Sequence, residues 1–171
     1  MTLSLSTTLI PAWLQTLGAG LGWLDKAASS GIAEQELLEA RLIDDMLPFG
    51  SQVKAMAVHS QGAVEGVREG VFRPRFQDPN PASIAELPAL LDEAIAFVQG
   101  LTEEEMQGFV GQDMRFEIGE KRLDFTAENF LLSFSLPNFF FHATTAYGIL
   151  RAKGLPLGKI DYLGQLRLKK D

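Results

Sequence analysis

The sequence predicts a mostly α-helical protein, a four-helix bundle with a small β-hairpin ahead of its last helix. Three observations predict it. Apolar residues recur at helical spacing over most of the 171 residues. Glycine and proline punctuate the chain where that spacing stops. One stretch, "MRFEIGEKRLDFT" at 114–126, switches to a period of two. The length suits a single domain, 1–171, with 155–171 as a C-terminal tail, and is enough to bury a sizeable core.

The first helix is expected from about Thr8 to Ala28, with Pro11 tolerated in its first turn. Gly18, Gly20 and Gly22 each cost about 1 kcal/mol relative to Ala there. A second helix is therefore expected to approach closely, on the face that Gly18 and Gly22 share. The Gly31 region ends this helix, and "AEQELLEARL" at 33–42 reads as a short helix leading into "IDDMLP". A second long helix follows Pro48 and continues to about Gly70. "FRPRFQDPNPAS" at 72–83 holds three of the eight prolines and reads as a long extended crossover.

Ser83 with Glu86 matches a capping box and opens a third helix, whose apolar stripe is Ile84, Leu87, Leu91, Ala94, Val98 and Leu101. Thr102 with Glu105 is a second capping box, which gives the acidic run at 103–105 a structural place near a positive helix end. In the hairpin, Met114, Phe116 and Ile118 are expected on one side and Leu123 and Phe125 on the other, with Gly119-Glu120 at the turn. The last helix runs from Ala127 to about Lys153, where Gly154-Leu155-Pro156 stops it. It carries no charge between Glu128 and Arg151, so it is central in the bundle or shared with a partner subunit. Pro137 in its middle should cost roughly 3 kcal/mol and bend it.

Composition removes several function classes. With 46% hydrophobic and 22% charged residues the chain is not disordered. A net charge of −7 and scattered basic residues argue against a nucleic-acid partner. Arg73 and Arg75 flank Pro74 in a loop, and Arg167, Lys169 and Lys170 sit in a solvated tail. The absence of cysteine excludes disulfides, thiolate catalysis and Cys-type zinc sites, and is compatible with the cytoplasm, the expected location. The first 24 residues carry no side-chain charge, yet they lack a basic leader and are interrupted by Ser, Thr, Gln, Pro and Gly. No window reaches the roughly 18 to 20 continuous apolar residues of a membrane span. The expectation is a soluble protein without a membrane partner. "GAGLG" lacks the spacing and the preceding strand of a dinucleotide fingerprint, and Ser133 and Ser135 lack a GxSxG elbow.

The two histidines are the candidate chemistry. The polar face of the second helix is marked by Lys54, Gln61, Glu65 and Arg68, and His59 falls about 150° away from it, inward. On the last helix, His142 follows Asn138 by one turn and shares a stripe with Leu131, Ser135, Thr145 and Ile149. Two inward histidines on two long helices of one bundle are placed to meet. Tyr147 and Tyr162 are candidates to orient a small ligand or to sit with their hydroxyls at the surface.

The order of elements resembles the DinB-like (YfiT-like) four-helix bundles. More closely, "LLEARLIDDMLPFGSQV" at 37–53 and "LPNFFFHATTAYGILRAKGLPLGKIDYLG" at 136–164 resemble a bacterial family known as domain of unknown function 1993. The likeness covers essentially the whole chain. It implies a bundle with a long crossover between helices 2 and 3, and a homodimer. It brings no activity.

The wider superfamily implies a divalent metal, zinc or nickel, on three histidines, and in some members thiol-dependent transfer or isomerisation. Carried over, His59 matches the first ligand position and His142 the last, but the remaining position is Asn138. An amide oxygen is a poorer ligand for zinc or nickel than imidazole. Asp44 or Asp45 is a candidate fourth ligand, or a solvated or capping residue. The competing reading is a metal-free pair: His142 bonded to a threonine, a tyrosine or a backbone carbonyl, and Asn138 capping the kink at Pro137.

Two functions follow. One is a dimeric small-ligand-binding or structural module with a pocket lined by His59, Asn138, His142 and Tyr147. The other is a metal-dependent transferase, isomerase or hydrolase using His59, His142 and Asn138 as ligands.

Overall fold

The computed structural model describes residues 3–74 and 78–169. Four long helical stretches meet in one core. The first is α1 (Leu5–Ala28), followed by the short α2 (Glu34–Leu38). The second is α3 (Phe49–Ala57) and α4 (Ala63–Glu69), joined through a π-helical turn, Val58–Gly62. After strand β1 (Val71–Phe72) and the crossover come α5 (Leu87–Gln99), the short α6 (Glu103–Gly108), and the hairpin β2 (Asp113–Ile118) and β3 (Lys121–Thr126). The last stretch is α7 (Ala127–Asn129), a π-helical segment Phe130–Ser135, and α8 (Leu136–Ala152), before the short α9 (Lys159–Leu163). Trp13, Trp23, Phe49, Phe130 and Phe139 fill the centre. The bundle with a hairpin is the architecture the sequence predicts.

Helix α1 starts earlier than expected because Ser4 and Thr7 form a reciprocal capping box. Pro11 therefore lies inside the helix and not in its first turn. The close approach is at Gly20, where a Cβ would stand 2.8 Å from Leu91 Cδ1. Gly18 and Gly22 are exposed, with nothing within 4 Å. The expectation for that pair fails because Gly20 shares the buried Trp13–Leu17–Leu24 face.

Gly70 ends α4 with a left-handed φ of 72°, turning the chain into β1. The crossover is thus not wholly extended: Val71 and Phe72 pair in parallel with Arg115 and Phe116 of β2. Gly66 seats that strand, since a Cβ there would meet Phe72 Cβ at 2.9 Å and its Cα at 3.1 Å. Arg75 and Lys170 lie outside the described residues. A 3₁₀ turn, Ile84–Glu86, leads into α5, and the expected box is partial: Ser83 Oγ and Ala82 N–H donate to the Glu86 carboxylate. The six-residue stripe from Ile84 to Leu101 is buried throughout. Thr102 does accept from Glu105 N–H.

In the hairpin, Met114 pairs with Phe125 and Phe116 with Leu123. Directly opposed residues share a sheet face, so these strands do not present opposite sides as expected. That face meets Phe130 and Phe134, with Phe116 4.9 Å from Phe134 and Phe125 5.9 Å from Phe130 between ring centres. Pro137 falls at the second position of α8, directly after the π-helical segment. The wider turn and the Asn138 side chain, which donates to Phe134 O at 2.7 Å, absorb what an uninterrupted helix would leave unsatisfied.

The segment after α8 is part of the bundle. Leu155 and Leu157 are buried, and α9 is tied to α1 by Trp23 Nε1–H donating to Asp161 O and Gln15 Nε2–H to Leu163 O. Residues 165–169 are exposed, as a solvated tail requires. Among the described residues no helix is long and apolar enough to cross a membrane.

Candidate functional site: a buried histidine pair

His59 sits in the π-helical turn between α3 and α4, and His142 in the middle of α8. Their ring centres are 5.5 Å apart with the planes 16° from parallel. They are only 6% and 8% exposed. The inward angles read from the sequence do bring them together.

Each ring has a polar partner from the other helix. Gln52 Nε2–H donates to Leu47 O at 2.9 Å, which leaves Gln52 Oε1 to accept from His142 Nδ1 at 2.7 Å. The network thereby assigns the proton of His142 to Nδ1 and leaves Nε2 bare. Ser135 Oγ–H donates to the carbonyl of His59 at 2.9 Å and stands 3.4 Å from His59 Nδ1. With its own proton used, that hydroxyl can only accept, so His59 Nε2 is bare as well. Ser135 is fully buried and its proton is aimed at a carbonyl, so it is no nucleophile.

Burial holds both imidazoles neutral. It pushes His59 down to about 3, with the nearby His142 adding to the effect, and His142 down to about 4. Both π-helical segments of the chain serve this pair, one carrying His59 and the other Ser135. Single wide turns of this kind re-aim side chains and concentrate at functional sites.

The other candidates lie elsewhere. Asn138 spends its amide N–H on the helix backbone at Phe134. Tyr147 packs against Trp23 and Tyr162, with ring centres 5.9 Å and 5.5 Å away, under α9. Asp44 and Asp45 are exposed in the loop before α3. Among the described residues no group of three or more His, Cys, Asp or Glu is placed to hold an ion.

A cavity of about 300 Å³ opens beside His59, with Arg41, Leu47, Ser51, Lys54 and Val58 on its wall. His142, Asn138 and Tyr147 are not part of that wall. A larger depression of about 550 Å³ lies at the sheet, but both its arginines are already paired, Arg73 with Glu117 and Arg115 with Asp124. Sequence reasoning missed Gln52, Arg41, Ser51 and Lys54 as site residues, and placed Ser135 on the His142 stripe without giving it a role in the site. The available signal was a spacing of seven: Gln52 precedes His59, and Ser135 precedes His142, by two helical turns on the same face.

Comparison with known proteins agrees with this architecture. The crystal structure of a DinB family member protein from Shewanella denitrificans matches with a TM-score of 0.76, covering 98% of this chain and 96% of that one at 24% identity. A likeness at that identity shows the fold: a DinB-like bundle. No curated relative matches the chain. The profile of a family described as a domain of unknown function, DUF1993, matches residues 5–163, from the first residue of α1 to the last of α9. By that match over nearly its whole length, the chain belongs to the DUF1993 family.

Proposed function

We propose that the protein is a dimeric small-molecule-binding module in which the histidine pair is a neutral polar wall of the cavity and not a metal centre. One observation carries this reading: His59 borders the cavity while His142 stands behind it, fixed in one tautomer by Gln52. The donor set does not fit a zinc or nickel centre. Such a site takes three protein ligands when catalytic, and among the described residues the two imidazoles have no third His, Cys, Asp or Glu placed to join them. The competing reading, a divalent-metal-dependent transferase, isomerase or hydrolase, draws on the two bare Nε2 atoms. An ion shared by the two would lie about 3.2 Å from each ring centre, a span the 5.5 Å separation allows, and would require both in-plane lone pairs to turn toward it.

Metal analysis of untagged protein, with zinc and nickel titrations of the wild type, His59→Ala and His142→Ala, separates the two. The binding reading expects no stoichiometric metal and millimolar or weaker affinity. Near-stoichiometric metal lost in both variants establishes the metal reading instead.

Dimerisation rests on the exposed Gly18 and Gly22 of α1, which have nothing among the described residues within 4 Å of where a Cβ would stand, and on exposed Phe141 in α8, whose first charge is Arg151 in its last turn. A monomeric mass in light scattering at micromolar concentration refutes it. Net charge −7 and the lack of cysteine support a cytoplasmic protein that binds neither nucleic acid nor membrane.

A further inference from the structure

The cavity beside His59 gathers positive charge that its wall does not neutralise. Among the described residues its lining holds two cations, Arg41 and Lys54, and no Asp or Glu. Lys54 Nζ donates to the carbonyls of Asp78 and Pro79, at 2.8 and 3.1 Å. Arg41 donates to the carbonyl of Met46, and its nearest carboxylate, Glu39, is 4.0 Å away. Neutral carbonyls fix these side chains in place without cancelling their charge. Elsewhere Arg68, Arg73, Arg115 and Arg122 each meet a carboxylate at 3.0 Å or closer. The contrast is local, within a chain of net charge −7.

Two further features point the same way. Ser51 lines the cavity, and its buried hydroxyl has no hydrogen-bond partner among the described residues. A buried hydroxyl in that state is costly to keep and calls for an acceptor. Helix α3 begins at the cavity with Pro48, without a side-chain cap or an acidic residue in its first turn. Its positive end is answered in part, by the carbonyl of Ala40, which accepts from Phe49 N–H at 2.8 Å. Most of the remaining wall is apolar, from Leu47, Pro48, Ala55, Val58 and Pro74, with His59 and Asn80 as its neutral polar members.

We infer that the cavity binds a small organic monocarboxylate, its head met by Arg41, Lys54 and the Ser51 hydroxyl and its apolar body lying against Leu47, Ala55, Val58 and His59. A volume of about 300 Å³ lies at the lower end of small-molecule sites and suits such an anion better than a nucleotide. This names the ligand class of the binding site proposed above and rests on that reading.

Octanoate and its neutral counterpart octanamide, titrated calorimetrically into the full chain, test it. Octanoate is expected to bind about tenfold or more tightly than octanamide, and to weaken as salt rises. Ser51→Ala and Lys54→Gln are each expected to lower octanoate affinity about tenfold, with a smaller loss for octanamide, whose carbonyl accepts from the same donors without a charge. Equal affinity for the two probes overturns the anion inference and leaves the binding reading standing. Failure of both probes at millimolar concentration overturns both. Lys54 also holds the crossover, so if Lys54→Gln lowers both probes equally, Arg41→Gln decides: unchanged octanoate affinity there refutes the inference.

Discussion

Acidification tests the histidine pair most directly. In the unfolded chain both imidazoles titrate near 6.5, and in the folded protein near 3 and 4. Because the folded values are depressed, the unfolded state binds more protons below the unfolded value. The stability is fully present above pH 6.5 and is lost as pH falls toward the folded values. At pH 5 an unfolded imidazole is about thirtyfold more protonated than neutral, while the folded pair stays neutral. That ratio is about 2 kcal/mol for each histidine, or about 4 for the pair, against a total of roughly 5–15 for a domain. Asp124, Glu128 and Asp161 have carboxyls held low by their hydrogen bonds, so their contribution is lost only in more acid solution. The window between pH 6.5 and 5 belongs to the histidines. Urea unfolding at several pH values, on the wild type and on a His59→Gln/His142→Gln double variant, reads the effect as a slope approaching about 1.4 kcal/mol per pH unit per histidine. If the wild type shows no steeper slope than the variant, the imidazoles are not buried neutral and the site as described is wrong.

Three further outcomes follow from the packing. Gln52→Leu strands the buried His142 Nδ1–H, which should cost about 1–3 kcal/mol in urea unfolding and shift the His142 tautomer signals in nitrogen NMR; an unchanged spectrum counts against the pairing. Gly18→Ala adds a methyl where nothing lies within 4 Å and should stabilise by up to about 1 kcal/mol, whereas Gly66→Ala meets Phe72 backbone and should destabilise by about 1–3 kcal/mol; thermal melts that rank them the other way refute the account of α1 and β1. Asn138→His places a third imidazole one turn before His142 and should create zinc affinity at least about tenfold above the wild type by competition with a chelator; no gain means the two bare Nε2 atoms do not converge on one ion.

Periodicity carried most of the fold because burial in a bundle is what periodicity reports. The stripe from Ile84 to Leu101 and the inward angles of His59 and His142 are direct readings of the 3.6-residue repeat. The failures have equally specific causes. Strand β1 is two residues long, below any period, and exists because Gly66 lets Phe72 lie on α4. The π-helical turns at Val58–Gly62 and Phe130–Ser135 leave no propensity signal, since they are set by tertiary contacts. The cavity was illegible for another reason. Arg41, Ser51 and Lys54 are ordinary polar residues in sequence, and they become a site only when the crossover carbonyls take Lys54 and leave its charge uncancelled.

The site divides its electrostatic work between two kinds of group. An imidazole buried to 6% or 8% exposure cannot stay protonated near neutral pH, so the pair contributes shape and lone pairs but no charge. Charge at the cavity comes from Arg41 and Lys54 instead, each held by backbone carbonyls. Affinity for a carboxylate is then set by groups other than the two histidines whose burial makes the stability depend on pH. Between about pH 6.5 and pH 5.5, where octanoate itself stays ionised, the two properties should separate: octanoate affinity per folded molecule stays level as the unfolding free energy falls. A histidine that bound the carboxylate as a cation would give the opposite coupling, with affinity rising on acidification, and that result would return the positive charge of the site to His59.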